Sequence, residues 1–241
     1  RDDVESRGLG DVYKRQCLDA GHGGKDNGSD YRLRYEKNDN LKITQAVAAY
    51  LADKENIQVI MTRSDDTFLS LEERTSFANQ NNADYFVSLH RNTGEGNGVE
   101  TWIRSDADDK TQALAKNIMD NLDAAGISRN RGVKKGTQKS ESKDYYVNLH
   151  TNMPACIVEL GFMNSPTDNQ LFDANIDSYA KAIGDAVLKT YESYGKDGAD
   201  AKESVEDVPG TEEQTSTETG TGTTGPVSYT HLRAHETRRH L

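Results

Sequence analysis

The sequence predicts an α/β domain, a sheet covered by helices on both faces. Three observations carry that expectation. Short β-branched, apolar runs recur through the middle of the chain. Stretches with helical apolar spacing fall between them. Polar residues suited to chemistry sit just after or late in the apolar runs, where ligands gather in such sheets.

The elements follow in order. A first strand runs into CLDAGHGG, with part of it supplied by residues 12–16. Residues 41–54 are predicted helical, because Leu41, Thr44, Val47, Ala48 and Leu51 share one face. IQVIMT (57–62) reads as a buried strand. Ser70 opens a helix with Glu73 three residues on, a capping box. DYFVSLH (84–90) and GVETWI (98–103) read as strands. Residues 110–125 are predicted helical and stop at Gly126. Residues 145–149 and 155–160 read as two further strands, with His150 ending the first. Ser165, Pro166 and Asp168 have the order of N-cap, first-turn proline and acidic first turn. A last helix over 176–194 places Ile176, Tyr179, Ala180, Ile183, Val187 and Tyr191 on one stripe.

Composition narrows the classes. With 29 Lys+Arg against 40 Asp+Glu in 241 residues, the chain is a poor nucleic-acid binder. No apolar run approaches a membrane span. Cys17 and Cys156 cannot make a disulfide framework and read as two buried thiols. Residues 195–226 form an acidic Thr/Gly-rich linker, with 2 basic and 8 acidic residues between 196 and 225. Such a segment buries too little surface to offset its ordering entropy and is expected to be disordered. Residues 1–16 and 227–241 share no pattern with the middle and resemble translated adapter or vector sequence, so they are set aside as non-native. Genuine disordered termini are the alternative. The folded domain is then expected over 17–194, from a gene fragment truncated at both ends.

Four positions stand out for chemistry. His22 follows the first strand in DAGHGG, Glu36 precedes the first long helix, His90 ends DYFVSLH, and Glu159 lies late in ACIVEL. Two histidines and a carboxylate suit zinc, leaving a fourth position for water. A further carboxylate beside that water serves as general base. Taken singly, each residue has a plainer reading. His22 and His90 suit surface hydrogen bonding, Glu36 a solvated loop, and Glu159 an outward-facing strand position. Glycines 21, 23 and 24 favour a close backbone approach at His22. Arg91 and Asn92, directly after His90, are read as substrate-contacting residues. HETRRH in the tail does not match HExxH, since its histidines are five residues apart.

At DAGHGG, Glu36, SLHRN and VELGFMN, in that order, the sequence resembles the zinc-dependent N-acetylmuramoyl-L-alanine amidases of the amidase-3 family, over essentially residues 17–194. SLHRN and GVETW look most like the versions in Gram-positive bacteria and their phages. The resemblance implies a twisted, mainly parallel sheet of about six strands flanked by helices. It implies zinc held by His22, Glu36 and His90, and Glu159 as the catalytic carboxylate. It implies cleavage of the amide between the lactyl group of N-acetylmuramic acid and L-Ala of the stem peptide. It also implies an exported, cell-wall or extracellular protein, monomeric, acting on peptidoglycan and tethered by its linker to a missing wall-binding domain. Two other readings stay open: a zinc carboxypeptidase acting on stem peptides, and a non-catalytic wall-binding domain.

Overall fold

A computed structural model describes residues 13–138 and 142–194. The linker and tail expected over 195–241 lie outside the described residues, as do residues 1–12. In chain order the elements are β1 (Lys14–Ala20), β2 (Asp30–Tyr31), β3 (Arg34–Tyr35), α1 (Glu36–Ala52), β4 (Ile57–Met61), α2 (Leu71–Gln80), β5 (Tyr85–Asn92), β6 (Val99–Ile103), α3 (Asp109–Ala124), β7 (Asn130–Lys135), α4 (Tyr146–His150), β8 (Ala155–Phe162), α5 (Pro166–Ala174) and α6 (Ile176–Tyr194). Six strands make one sheet in the order β4-β1-β5-β8-β6-β7. All its neighbours run parallel except β6 and β8. The expected mainly parallel, six-stranded sheet is therefore present.

The two faces are covered unequally. Leu18, Val87, Leu89, Val158 and Leu160 point to one face and meet α1, α3 and α6 through Ile43, Val47, Leu114, Ile118, Ile183 and Val187. Cys17, Phe86, Ala155 and Ile157 point to the other face. There, among the described residues, the helices they meet are α2, through Ala78, and the short α4, through Val147. This cover stops short of the C-terminal ends of β5 and β8. The next residues on the same face of those strands are Ser88, His90 and Glu159 (period two). Among the described residues no helix is long and apolar enough to cross a membrane.

The first strand draws on residues before Cys17, as expected: Lys14–Gln16 pair with β4, and Gln16 is fully buried. Other expectations need correction. Residues 145–149 are not a strand. Tyr146–His150 form a helical turn, with Val147 in the small core and Asn148 donating to the Trp102 carbonyl. Five residues are too few for apolar period to separate strand from helix. His150 thus ends a helix, its ring stacked on Tyr146 at 4.0 Å. α1 starts at Glu36, five residues early, because its polar first turn is buried by tertiary hydrogen bonds rather than by apolar contact. The charged edge strand β7 and the β2–β3 hairpin carry no apolar alternation and escaped the pattern. Cys17 and Cys156 are free, buried thiols, with β5 between their strands.

A buried ion pair ties the first strand to α2. Arg74 Nη1 donates to Asp19 Oδ1 at 2.7 Å, and Ser88 and Thr62 hydroxyls donate to the same carboxylate at 2.6 Å each. Burial opposes ionisation of Asp19. The Arg74 charge and these hydrogen bonds outweigh it and hold the carboxyl below its usual pKa. Arg74 also donates to the carbonyls of Ala20 and His22 at 2.7 Å each, which holds the turn after β1. Arg74→Met leaves Asp19 charged, buried and unpaired, and is expected to cost about 3–5 kcal/mol in urea unfolding. Adding Asp19→Asn should recover part of that loss. The Ser70→Ala cap variant should cost only about 1 kcal/mol.

Candidate metal centre

His22, Glu36 and His90 come from three separate places: the turn after β1, the first residue of α1 and the end of β5. The fold brings one ligand atom of each within 4.8 Å of the others. His22 Nε2 lies 3.2 Å from Glu36 Oε1, and His90 Nδ1 lies 2.9 Å from the same oxygen. Ligands about 2.0–2.1 Å from a tetrahedral ion stand about 3.3 Å apart, so this donor set fits a zinc-sized cation. Both rings remain partly exposed, at 26% and 20%, while the Glu36 side chain is 4% exposed.

Local backbone makes the convergence possible. His22 itself sits in the left-handed region, with φ 62°. Such strain persists only where neighbours enforce it. Here the enforcement is the paired hydrogen bonding of Gly23 with Asp26 and the Arg74 contact to the His22 carbonyl. Gly21 is needed for space, since a Cβ there would lie 2.1 Å from the His90 ring. Asp26 Oδ2 accepts at 2.8 Å from His22 Nδ1, which leaves Nε2 turned toward Glu36.

The electrostatics are those of an anionic hole filled by donors. Glu36 accepts from the amides of Ser29 (2.8 Å) and Arg91 (3.2 Å) and from Asn40 Nδ2 (3.3 Å). Burial would raise its pKa. Hydrogen bonds and charge from His22 and His90 outweigh this and hold the carboxyl far below the usual carboxylate range. Burial would also lower the pKa of His22, but Glu36 and then Asp26 reverse the effect and push it up to about 9.

Glu159 lies level with His90 across β5–β8. Its Oε2 is sealed from solvent and has no hydrogen-bond partner among the described residues. Burial, reinforced by the charges of Glu36 and Glu100 and opposed by His90 and His22, raises its pKa to about 7. The bulk of its strand, not a partner, makes it unusual.

Level with Glu159 on the other side is Glu100, a buried acid that the sequence reading passed over. It accepts from Asn92 Nδ2 (3.0 Å), Trp102 Nε1 (3.0 Å), Gln138 Nε2 (2.9 Å) and Arg131 Nε (2.7 Å). The available signal was an acid inside the short apolar strand GVETWI.

Arg91 and Asn92 are not placed to touch a substrate, which corrects that expectation. The Arg91 side chain has no exposure. It pairs with Asp39 at 2.5 Å, donates to Asn169 at 2.6 Å and stacks on Phe172 at 4.3 Å. Asn92 donates to Glu100 and accepts from the Thr93 amide. A charged residue after a strand need not be solvated when the adjoining helices supply carboxylates and an aromatic face.

Comparison with known proteins bears on the family and the fold. The amidase-3 family, described as N-acetylmuramoyl-L-alanine amidase, matches residues 17–189. The Bacillus subtilis protein YqiI is 36% identical over 184 residues, covering 75% of this chain and 84% of that protein. The sporulation-specific N-acetylmuramoyl-L-alanine amidase of Bacillus subtilis is 32% identical over 152 residues, 63% of this chain; the match spans only 57% of that enzyme's length. The crystal structure of N-acetylmuramoyl-L-alanine amidase from Clostridium difficile 630 superposes with a TM-score of 0.70 at 33% identity, covering 76% of this chain and 100% of that one. With a match across most of its length, and with the fold shared, the chain belongs to the N-acetylmuramoyl-L-alanine amidase family.

Proposed function

We propose that this centre is a zinc amidase site that hydrolyses the amide between the lactyl group of N-acetylmuramic acid and L-Ala of the peptidoglycan stem peptide. His22, Glu36 and His90 hold the metal, and Glu159 is the catalytic carboxylate. The observation that supports this best is Glu159 itself: a carboxyl with one bare, buried oxygen, level with a ligand histidine on the adjoining strand. Zinc bound there supplies Lewis acidity, polarising the scissile carbonyl and making a water more acidic. The protein acts at the cell wall, outside the membrane, as its family membership suggests.

The chain's own groups do the rest. Glu159 takes the proton of the attacking water and returns one to the leaving L-Ala amine. Burial disfavours the charged form of this carboxyl, which suits a group that must take up a proton and return it. Asp26 keeps a proton on His22 Nδ1, so that Nε2 presents its lone pair. Glu100 has its oxygens occupied by four donors. A carboxypeptidase shares the donor set, and its products differ: it releases single amino acids, whereas an amidase releases stem peptides that begin at L-Ala.

Digestion of purified peptidoglycan is therefore expected to yield intact glycan and free stem peptides with zinc, and neither after chelation. Single amino acids as the metal-dependent product would replace this reading with the carboxypeptidase. Glu159→Gln should keep its zinc and lose about 10²–10⁴-fold in turnover; full activity would remove Glu159 from its role. Zinc titration should show His22→Ala losing the metal, and Asp26→Ala binding it about 10–100-fold more weakly.

Protonated Glu159 is favoured in the folded protein, since its pKa rises from 4.5 to about 7. Its contribution to stability is thus present below 4.5 and lost as pH rises through about 7. In metal-free protein, Glu159→Gln should gain on wild type across that window by on the order of 2 kcal/mol. Thermal melts at pH 4 and pH 8 measure the gain; a difference that does not change with pH would contradict it.

A further inference from the structure

His90, Glu159 and Glu100 are level across β5, β8 and β6, and Arg131, at the irregularity in the β6–β7 pairing, reaches Glu100 with its side chain, on the face that no helix among the described residues covers at the C-terminal ends of β5 and β8. The first two belong to the proposed reaction. The set ends in a cation that the reaction does not use. Arg131 is fixed at two points: Nε donates to Glu100 Oε2 at 2.7 Å, and the guanidinium lies 5.0 Å over the Phe162 ring. Its side chain is nevertheless 29% exposed. Among the described residues, its two terminal amino groups have no hydrogen-bond partner. Lys134 follows on the same face, level with Trp102, and is likewise unpaired among the described residues. An arginine held by its Nε edge and a ring, with its terminal fork free, is prepared for a planar anion.

The substrate has such an anion at a matching reach. In a stem peptide the residue after L-Ala is a γ-linked acidic residue. Its α-carboxylate is free in some walls and amidated in others. That group lies about two residues' extent, about 7 Å, from the scissile nitrogen. Arg131 springs from the second strand beyond Glu159, about 10 Å away, and its long side chain leans back to Glu100. With the scissile amide at Glu159, a stem peptide running across β6 toward β7 brings its α-carboxylate to the guanidinium fork.

We propose that Arg131, with Lys134 behind it, is a subsite for the α-carboxylate of the second stem residue, and that it makes the enzyme selective for unamidated stems. This rests on the amidase reading of the centre. It concerns a residue that touches substrate but takes no part in proton transfer.

The test uses the full chain loaded with zinc and two N-acetylmuramoyl tripeptides that differ only in an α-carboxylate or α-carboxamide at residue two. Wild type should favour the carboxylate in kcat/KM by about tenfold or more, the usual scale for a charge-assisted, bidentate contact. Arg131→Gln should bring that ratio to within about twofold, and Arg131→Lys should fall between. A purely structural role would slow both substrates alike and leave the ratio intact. Equal rates in wild type, or a preference that survives Arg131→Gln, would overturn the proposal. If neither substrate is cleaved, the amidase reading fails instead. Calorimetric titration of the same protein with the two free stem tripeptides then decides the subsite: carboxylate-selective binding lost in Arg131→Gln supports it, and unselective binding overturns it.

Discussion

The buried carboxylate of Glu36 is the constraint on which the rest of the site depends. An ion at this depth is tolerated only where donors replace its lost water. The donors come from the loop before β2 (Ser29), from α1 (Asn40), from the end of β5 (Arg91 amide and His90) and from the turn after β1 (His22). One side chain thus ties its own helix to the loop before it, to the turn after β1 and to the remote end of β5. With the ring protons between them displaced, the same two histidines and carboxylate form a donor set that could hold a divalent cation. The need to satisfy a buried charge and the need to form a metal centre therefore select the same geometry.

Backbone is held in place around that carboxylate by buried arginines rather than by apolar packing. Arg74 and Arg63 donate to carbonyls of residues 20–22 and 37 from beneath the turn. Arg91 ties β5 to Asp39 of α1 and Asn169 of α5. These fixed contacts support a histidine in the left-handed region at the most demanding point. Across the sheet, two acids on neighbouring strands have opposite surroundings. Among the described residues Glu100 meets four donors, while one oxygen of Glu159 meets none. Environment, not residue type, separates a carboxylate surrounded by donors from one whose pKa burial raises.

Much of this was legible in the chain. Long periodic segments such as the stripe of α6 and the capping box of α2 appear where the pattern puts them. The positions His22, Glu36, His90 and Glu159 stood out because each is polar beside a glycine turn, a helix start or an apolar strand. The failures share a cause. α4, the first turn of α1, β7 and the β2–β3 hairpin are short or polar, and their conformation is decided by distant partners: Trp102 for α4, the Glu36 hydrogen bonds for α1, and the β6 ladder for β7.

By itself the sequence determined the class of fold and marked out residues whose chemistry suits a metal, because periodicity and residue chemistry are local properties. Tertiary structure alone decided which atoms meet. It turned Arg91 and Asn92 inward, set Glu100 level with Glu159 and within reach of Arg131, and left one end of one sheet face without a covering helix among the described residues. Those outcomes depend on strand order and register, and a chain does not display its register until the sheet has formed.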